Sequence, residues 1–404
     1  SDNITSELKK IFNECKIMSE FNELVNIDIK NKHILLREDL NVPITNNQIT
    51  NDKRIKAALP TIEYALSQGS KIAILSHLGR PKEGKYNKDY SLEPIALRLS
   101  ELLGLKVYFE KEPLNIKPPT YENDITLYEN TRFLVGEKAG SDELAKNIAT
   151  NCDVFVMDAF GASHRRHCST YTLAKYIPVT CGGLLLIKEI VNINKIFDNP
   201  KKPVLAIIGG SKVSTKLNIL KSLIKKVDSL IVGGCIANTF LLNENFSVGN
   251  SLVEKDMVED AQEIIDLTKK YKVNFPLPID VICEQNTEIT LKEINDINTS
   301  EVIKDIGSKT ITIYKKFIEE AGTILWNGPV GVFEETLFEN GTKEIAKSIG
   351  KAKGSTIAGG GDTISAIEKF INIDDIDYIS TGGGAFLEFL EGNKLPGIEI
   401  IKKL

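Results

Sequence analysis

Short runs of consecutive apolar residues alternate with amphipathic stretches along almost the whole chain. The runs at 33–37, 71–75, 106–109, 125–128, 154–157, 203–208, 229–232, 323–326, 355–358 and 377–380 are continuous rather than alternating. That is the pattern of strands covered on both faces of a parallel sheet. Between them lie stretches of helical period, such as 54–68 closed by Gly69, 93–103 closed by Gly104, and 213–225. Strand-helix alternation of this kind predicts a doubly wound α/β architecture. The longest uncharged apolar stretch, residues 176–187, contains a Pro and two Gly and falls short of the roughly 20 residues a membrane-spanning helix needs.

At 404 residues the chain is too long for one core, since cores stop growing near roughly 250–300 residues. Residues 187–198 have a helical pattern and are closed by the turn-like Asn199-Pro200-Lys201-Lys202-Pro203, where we place the domain boundary. Before about residue 186 the predicted strands are followed by Arg, His, Asp and Asn; after about residue 200 they are followed by Gly-rich turns. Ligands of open α/β sheets bind beyond the carboxyl ends of the strands, so the two residue sets predict two different ligand sites, one in each half.

Composition narrows the class. Hydrophobic content of 42% and charged content of 26% exclude a disordered chain, a collagen-like repeat and a disulfide scaffold. A net charge of -5 argues against nucleic acid or an anionic membrane as partner. The six Cys (15, 152, 168, 181, 235, 283) show no metal or disulfide spacing, which fits reduced thiols in the cytoplasm. Residues 1–17 begin with Ser and lack the apolar core of a secretory leader; they are set aside as an extension. All seven Arg (37, 54, 80, 98, 132, 165, 166) precede residue 167, although Lys occurs throughout. A chain that otherwise uses Lys keeps Arg where a planar, bidentate fork is useful.

In the first half, Arg37-Glu38-Asp39-Leu40-Asn41-Val42-Pro43, Ser76-His77-Leu78-Gly79-Arg80-Pro81, Glu129-Asn130-Thr131-Arg132 and Asp158-Ala159-Phe160-Gly161-Ala162-Ser163-His164-Arg165 each follow a predicted strand, and Arg54 opens a helix. Arg and His converging at strand ends make a site for a small, multiply anionic ligand. Asp39 and Asn41 suit its hydroxyls. Arg98 reads instead as a helix-surface ion pair, Arg37 equally as an internal ion-pair partner, Arg166 as solvated and His33 as structural. In the second half, Gly209-Gly210-Ser211-Lys212 leads into a predicted helix on which Lys212 and Lys216 share a face. Helix starts favour phosphate, and two ammonium groups add to that bias. Further Gly turns occur at Gly233-Gly234, Gly328, Gly359-Gly360-Gly361-Asp362-Thr363 and Gly382-Gly383-Gly384. Asp362 is placed to hold a phosphate-bound Mg²⁺ through oxygen.

No P-loop (G-x-x-x-x-G-K-[ST]), no G-x-G-x-x-G and no protein-kinase H-R-D occurs. The residues by themselves describe a two-domain α/β protein with an anion site in one half and a Gly-cradled phosphate site in the other. A two-lobed binding protein and a nicotinamide-dependent oxidoreductase both remain compatible with that description, the latter weakened by the missing fingerprint.

The strings REDLNVP, RIKAALPTI, SHLGRP, ENTRF, DAFGASHRRH, AIIGGSKVSTK, ILWNGPVGVFE, GGGDT and STGGGAFLEFLEGNKLPG together resemble phosphoglycerate kinases, in the family's order from about residue 33 to the C-terminus. The resemblance implies α/β architecture of two Rossmann-like, doubly wound parallel-sheet domains. These would be an N-terminal 3-phosphoglycerate domain over 18–186, a hinge helix over 187–199, a nucleotide domain over 200–392, and a C-terminal segment, 393–404, returning to the first domain. It implies Mg²⁺-dependent, reversible phosphoryl transfer between ATP and 3-phosphoglycerate in a monomeric, hinge-bending, cytoplasmic enzyme of glycolysis. Its substrate ligands fall on Asp39, Asn41, Arg54, His77, Arg80, Arg132 and Arg165. Its nucleotide contacts fall on Lys212, Lys216, Gly233, Asn327, Glu334, Gly360, Gly361, Asp362 and Thr363, with Asp362 at the metal and Arg54, Lys212 and Lys216 catalytic. The chain departs from the family where Ile303-Lys304-Asp305-Ile306-Gly307 replaces the usual Gly-Leu-Asp-Ile-Gly and where Met157 replaces Asn. The acceptor in such a reaction is a carboxylate, ionised at neutral pH, so no general base is required.

Overall fold

A computed structural model of the protein describes residues 20–111, 119–195 and 197–403; the 1–17 extension and Cys15 lie outside them. The chain divides into two compact units, one reaching Val191 and resuming at Lys394, the other running from Asn192 to Asn393.

The first unit is built on a six-stranded sheet in the order Tyr108–Glu110, Ile125–Tyr128, Lys71–Leu75, His33–Arg37, Val154–Met157, Val179–Gly182. Every pairing in it is parallel. Ile34, Leu35 and Leu36 are all buried, which accounts for the unbroken apolar run: neither face of this central strand meets water. The helix Lys53–Ser67 buries Ile55, Ala58, Ile62 and Ala65, a spacing of three and four that keeps one face on the sheet. Glu93–Leu103 ends on Gly104, whose φ of 64° is the left-handed cap that favours glycine.

Two differences from the sequence reading concern the rim of this sheet. The strand expected at 106–109 forms at Tyr108–Glu110. Val179–Gly182 is a further strand, in the apolar stretch with a Pro and two Gly noted above; it is the last strand of the sheet, and Gly182 N–H donates outward to the Asn22 carbonyl at 2.8 Å. The chain end belongs to this unit as well: Asn22 N–H donates to the Ile401 carbonyl at 2.7 Å and Gly397 N–H to the Ser163 carbonyl at 2.8 Å. A Cβ at Gly397 would lie 2.9 Å from Met157 Cε.

The second unit carries a five-stranded parallel sheet ordered Ser229–Val232, Val204–Ile208, Thr323–Asn327, Ser355–Gly359, Tyr378–Ser380. Around it pack Tyr314, Trp326, Ile324 and Ile345, all fully buried. A second, antiparallel sheet of Glu288–Glu293, Asp280–Gln285 and Val302–Ile306 has no counterpart in the sequence reading. Charged residues bound or interrupt each of its strands, and Glu288–Glu293 is largely exposed, so none shows the continuous apolar run used to find the others. The helix expected at 187–198 is Leu184–Asn194. It starts earlier because Asp158 Oδ1 accepts the Leu186 N–H at 2.8 Å and Thr61 Oγ1 accepts the Leu184 N–H at 3.0 Å, satisfying donors that a helix start leaves free.

Candidate active site

In the first unit, the carboxyl ends of the strands His33–Arg37, Lys71–Leu75, Ile125–Tyr128 and Val154–Met157 lead directly into the segments carrying Asp39, Asn41, His77, Arg80, Arg132 and Arg165. Adjacent parallel strands in register bring these segments, distant in sequence, to one edge. Arg54, at the start of Lys53–Ser67, donates to the Asn41 carbonyl at 3.0 Å and lies 3.4 Å from the Asp39 carboxylate. Asn41 Oδ1 accepts the Gly79 N–H at 2.9 Å, and Arg132 donates to the Gly79 carbonyl. Gly79 has φ 58° and its α-carbon faces the Tyr90 ring, leaving no room for a side chain. The loop carrying Arg80 is thereby pinned on both sides.

Arg37 is the structural member of the set. It is buried, donates from Nε to Ser169 Oγ at 2.9 Å, from one terminal nitrogen to the Glu38 carbonyl, and approaches His77 Nδ1 at 3.1 Å with the other. Ser169 in turn donates to the buried Glu137 carboxylate. Of the two readings open for Arg37, the internal partner is the one observed. Arg98 pairs with Asp52 and Glu101 on the helix surface, and His33 stacks on Tyr121.

The electrostatics of the cluster are lopsided. Burial, followed by the charges of Arg37, Arg132 and Arg54, pushes His77 well below its ordinary value. Burial with Arg165 and Arg132 lowers both His164 and His167 to about 4. Arg132 is lowered to about 10, again by burial and then by Arg37 and Arg165, and its Nε is buried without a partner. Arg80 and Arg165 are exposed and have no side-chain partner among the described residues. Guanidinium groups that suppress one another's neighbours in this way await an anion, and their forked donors suit phosphate and carboxylate oxygens.

In the second unit the strand ends carry glycine for a steric reason. A Cβ on Gly209 would fall 1.9 Å from the Pro329 carbonyl oxygen, and one on Gly233 would meet Val330 Cα at 2.7 Å. The turns after neighbouring strands touch backbone to backbone. Asn327 is the hub beneath them: its Nδ2 donates to the Gly359 carbonyl at 2.6 Å and its Oδ1 accepts from Lys216 Nζ. Thr363 Oγ1 accepts the Gly328 N–H and donates to the Gly359 carbonyl, both at 2.8 Å. Gly360 caps the helix Gly361–Phe370, which places Asp362 in its first turn. Burial lowers the Lys216 ammonium, opposed by Asp362 and Glu391.

The shared helix face expected for Lys212 and Lys216 is not formed. The helix is Leu217–Leu223, Lys216 is its cap and Lys212 lies before it in an irregular segment. Ser214 explains the delay: its N–H and hydroxyl both donate to Glu254, holding the segment in a non-helical turn. Lys216 nonetheless reaches Asn327, while Lys212 is exposed.

A slot opens beside these turns. Its lining combines Gly210, Ser211, Gly234, Glu334 and Asp362 with the apolar Pro278, Val281, Ile306, Val330 and Val332. A flat, apolar-faced group attached to phosphates fits that polarity. Glu334 and Asp362 were expected there. Ile303 to Ile306, which the resemblance sets beside the base, line it too, whereas Pro278 and Val281 were not expected because the antiparallel sheet was not anticipated; the two-residue turn Asn286-Thr287, both with positive φ, was the available hairpin signal. Among the described residues no three His, Cys, Asp or Glu side chains gather as a metal cage. Asp362 is a single exposed carboxylate, which suits a magnesium ion held mainly by phosphates and water.

Parallel strand ends bearing a guanidinium cluster in one unit, and close-packed glycine turns beside a slot of mixed polarity in the other, are the layout of an α/β phosphotransferase. The phosphoglycerate kinase family profile matches residues 24–393. The phosphoglycerate kinase of Francisella tularensis subsp. tularensis is 50% identical over 387 residues, 95% of this chain and 98% of that protein. That of Desulfovibrio desulfuricans is 47% identical over 384 residues, 94% and 98%. The solved structure of the enzyme from Coxiella burnetii superposes with a TM-score of 0.90 at 46% identity, covering 94% of this chain and 98% of that one. The chain belongs to the phosphoglycerate kinase family, and with it to the kinases that place phosphate on a carboxylate in glycolysis. No helix among the described residues is long and apolar enough to cross a membrane.

Proposed function

We propose that the protein catalyses reversible, Mg²⁺-dependent transfer of the terminal phosphoryl group of ATP to the carboxylate of 3-phosphoglycerate, giving ADP and 1,3-bisphosphoglycerate. The observation that supports this most is the guanidinium cluster of the first unit, which has spare charge and no adequate general base: His164 and His167, at about 4, are poor proton acceptors. A carboxylate acceptor needs none, being ionised already. In this reading Arg80, Arg132, Arg165 and His77 bind the substrate's anionic ends, and Asp39 and Asn41 orient its hydroxyl. The Gly360, Gly361, Asp362 and Thr363 turn with Gly233, Asn327 and Glu334 takes the nucleotide. Arg54, Lys212 and Lys216 stabilise the charge on the phosphoryl group in flight, so catalysis is alignment plus electrostatics. Mg²⁺, held through Asp362, would neutralise the nucleotide phosphates. Donor and acceptor are bound by different units, so the reading includes hinge bending about residues 187–199, which also keeps water from the acyl phosphate. It further takes the enzyme to be a cytoplasmic monomer with no nucleic-acid or membrane partner.

The test is direct: incubate the protein with Mg-ATP and 3-phosphoglycerate, and trap acyl phosphate with hydroxylamine. Hydroxamate formed only when both substrates are present supports the reading, whereas none above the blank refutes it.

A further inference from the structure

The strand Val302–Ile306 pairs with Asp280–Gln285 out of step: Ile282 lies opposite Asp305 and Cys283 opposite Ile303, so Lys304 has no opposite number. A bulge of this kind re-aims side chains. Here Ile303, Lys304, Asp305 and Ile306 all line the slot, whereas a regular strand would present every second residue.

Lys304 is also tied to three segments at once. Its Nζ is 3.3 Å from Glu284 Oε2, 3.1 Å from Glu335 Oε1 and 5.3 Å from the Phe338 ring centroid. Its carbonyl accepts the Val332 N–H at 2.8 Å. Glu335 directly follows Glu334, and both Val332 and Glu334 line the slot. The packing beneath has no slack, since a Cβ on Gly331 would fall 2.3 Å from Asp305 Oδ1. Two carboxylates and an aromatic face hold the ammonium, leaving the aliphatic stem to wall the slot.

We propose that Lys304 is a positioning residue for the nucleotide: its ammonium, clamped by Glu284 and Glu335, holds the turn bearing Val332 and Glu334 against the bulged strand and so sets the width of the slot. The inference rests on the reading of the slot as the nucleotide site. Lys304 acts through the turn rather than on the base, so its loss lowers affinity for any purine nucleotide alike.

The experiment is calorimetric titration of the full chain with Mg-ADP and Mg-GDP, for wild type, Lys304→Met, Glu335→Gln and the double variant. Lys304→Met is expected to weaken ADP about three- to tenfold, the scale of two part-exposed ion pairs, and GDP by the same factor. In steady state the nucleotide KM rises while kcat and the 3-phosphoglycerate KM hold. The double variant is no weaker than the worse single one, and added salt weakens wild type more than Lys304→Met. Unchanged ADP binding in Lys304→Met overturns the inference, as do losses that multiply in the double variant or a loss confined to GDP, which would make Lys304 a direct reader of the base. Should Lys304→Met not fold, Glu335→Gln alone decides, since its exposed side chain removes the same clamp. Wild type that fails to bind ADP sinks the nucleotide reading itself; wild type that binds beside an unaffected variant sinks only the role of Lys304.

Discussion

Replacing Arg37 with Met separates the frame of the anion site from its ligands. Arg37 is buried and reaches three acceptors: Ser169 Oγ, the Glu38 carbonyl and His77 Nδ1. Through Ser169 it is linked to Glu137, which is wholly buried and whose carboxyl burial raises while Arg37, the next influence, lowers. Met fills most of the volume and supplies none of the donors. What remains is a carboxylate in the interior, still bonded to the Ser169 N–H and hydroxyl but without the nearest positive charge. Leaving a buried charge without its compensating partner costs up to about 3–5 kcal/mol, the value for a direct pair, and about 1–3 kcal/mol for each buried hydrogen bond left unmade. Urea unfolding followed by fluorescence reads the loss as a fall in midpoint. Replacing Glu137 by Met as well should restore most of it, because the orphaned charge is gone. His77, relieved of its nearest positive neighbour, should titrate at a higher pH, which NMR of the ring protons would follow. A single variant as stable as wild type, or a double variant no better than the single, would show that Arg37 faces a ligand and not the frame.

Three further outcomes follow from the same geometry. Arg54→Ala should lower turnover by about 10³ or more, the range for a guanidinium that stabilises a phosphoryl group in transfer; near-normal kcat would remove Arg54 from the chemistry. Gly209→Ala drives a methyl group to within 1.9 Å of the Pro329 carbonyl oxygen, so a loss of about 2 kcal/mol or more and weaker ADP binding are expected, and an unshifted melting temperature speaks against the backbone contact. Glu38→Gln concerns a buried carboxyl pair. Burial, then Asp158, pushes Glu38 well up, and burial pushes Asp158 up to about 6. Acids raised by folding stabilise fully below their unfolded values and lose that contribution as pH climbs through the folded ones. The Gln amide gives the unpartnered Asp158 Oδ2 a donor, so the variant should gain on wild type by about 1–3 kcal/mol between pH 4 and pH 8; a gap that narrows with rising pH contradicts the raised Glu38 carboxyl.

The continuous apolar runs made the two parallel sheets legible, because a strand buried on both faces has no reason to alternate. The antiparallel sheet of the second unit was illegible for the opposite reason: Asp280, Lys304 and Asp305 break its apolar runs, and the strand Glu288–Glu293 is largely exposed. With it went Pro278 and Val281 of the slot's lining, while Ile303 to Ile306 were legible only through the family resemblance. Helix beginnings were the other failure. Leu184–Asn194 is started by the oxygens of Asp158 and Thr61, and the helix after Lys216 is delayed by Glu254; each of these partners lies far away in sequence.

Residue chemistry alone determined that Arg and His follow the first strands and Gly the later ones, since strand ends are where an open sheet presents its side chains. It also determined the family, through strings too long to arise by chance. Tertiary structure alone decided which cations are held inside and which reach solvent: Arg37 is buried against Ser169, the Glu38 carbonyl and His77, while Arg80 and Arg165 stay exposed. Burial and hydrogen-bond partners are properties of packing, and one arginine is chemically the same as another until neighbouring strands decide what surrounds it.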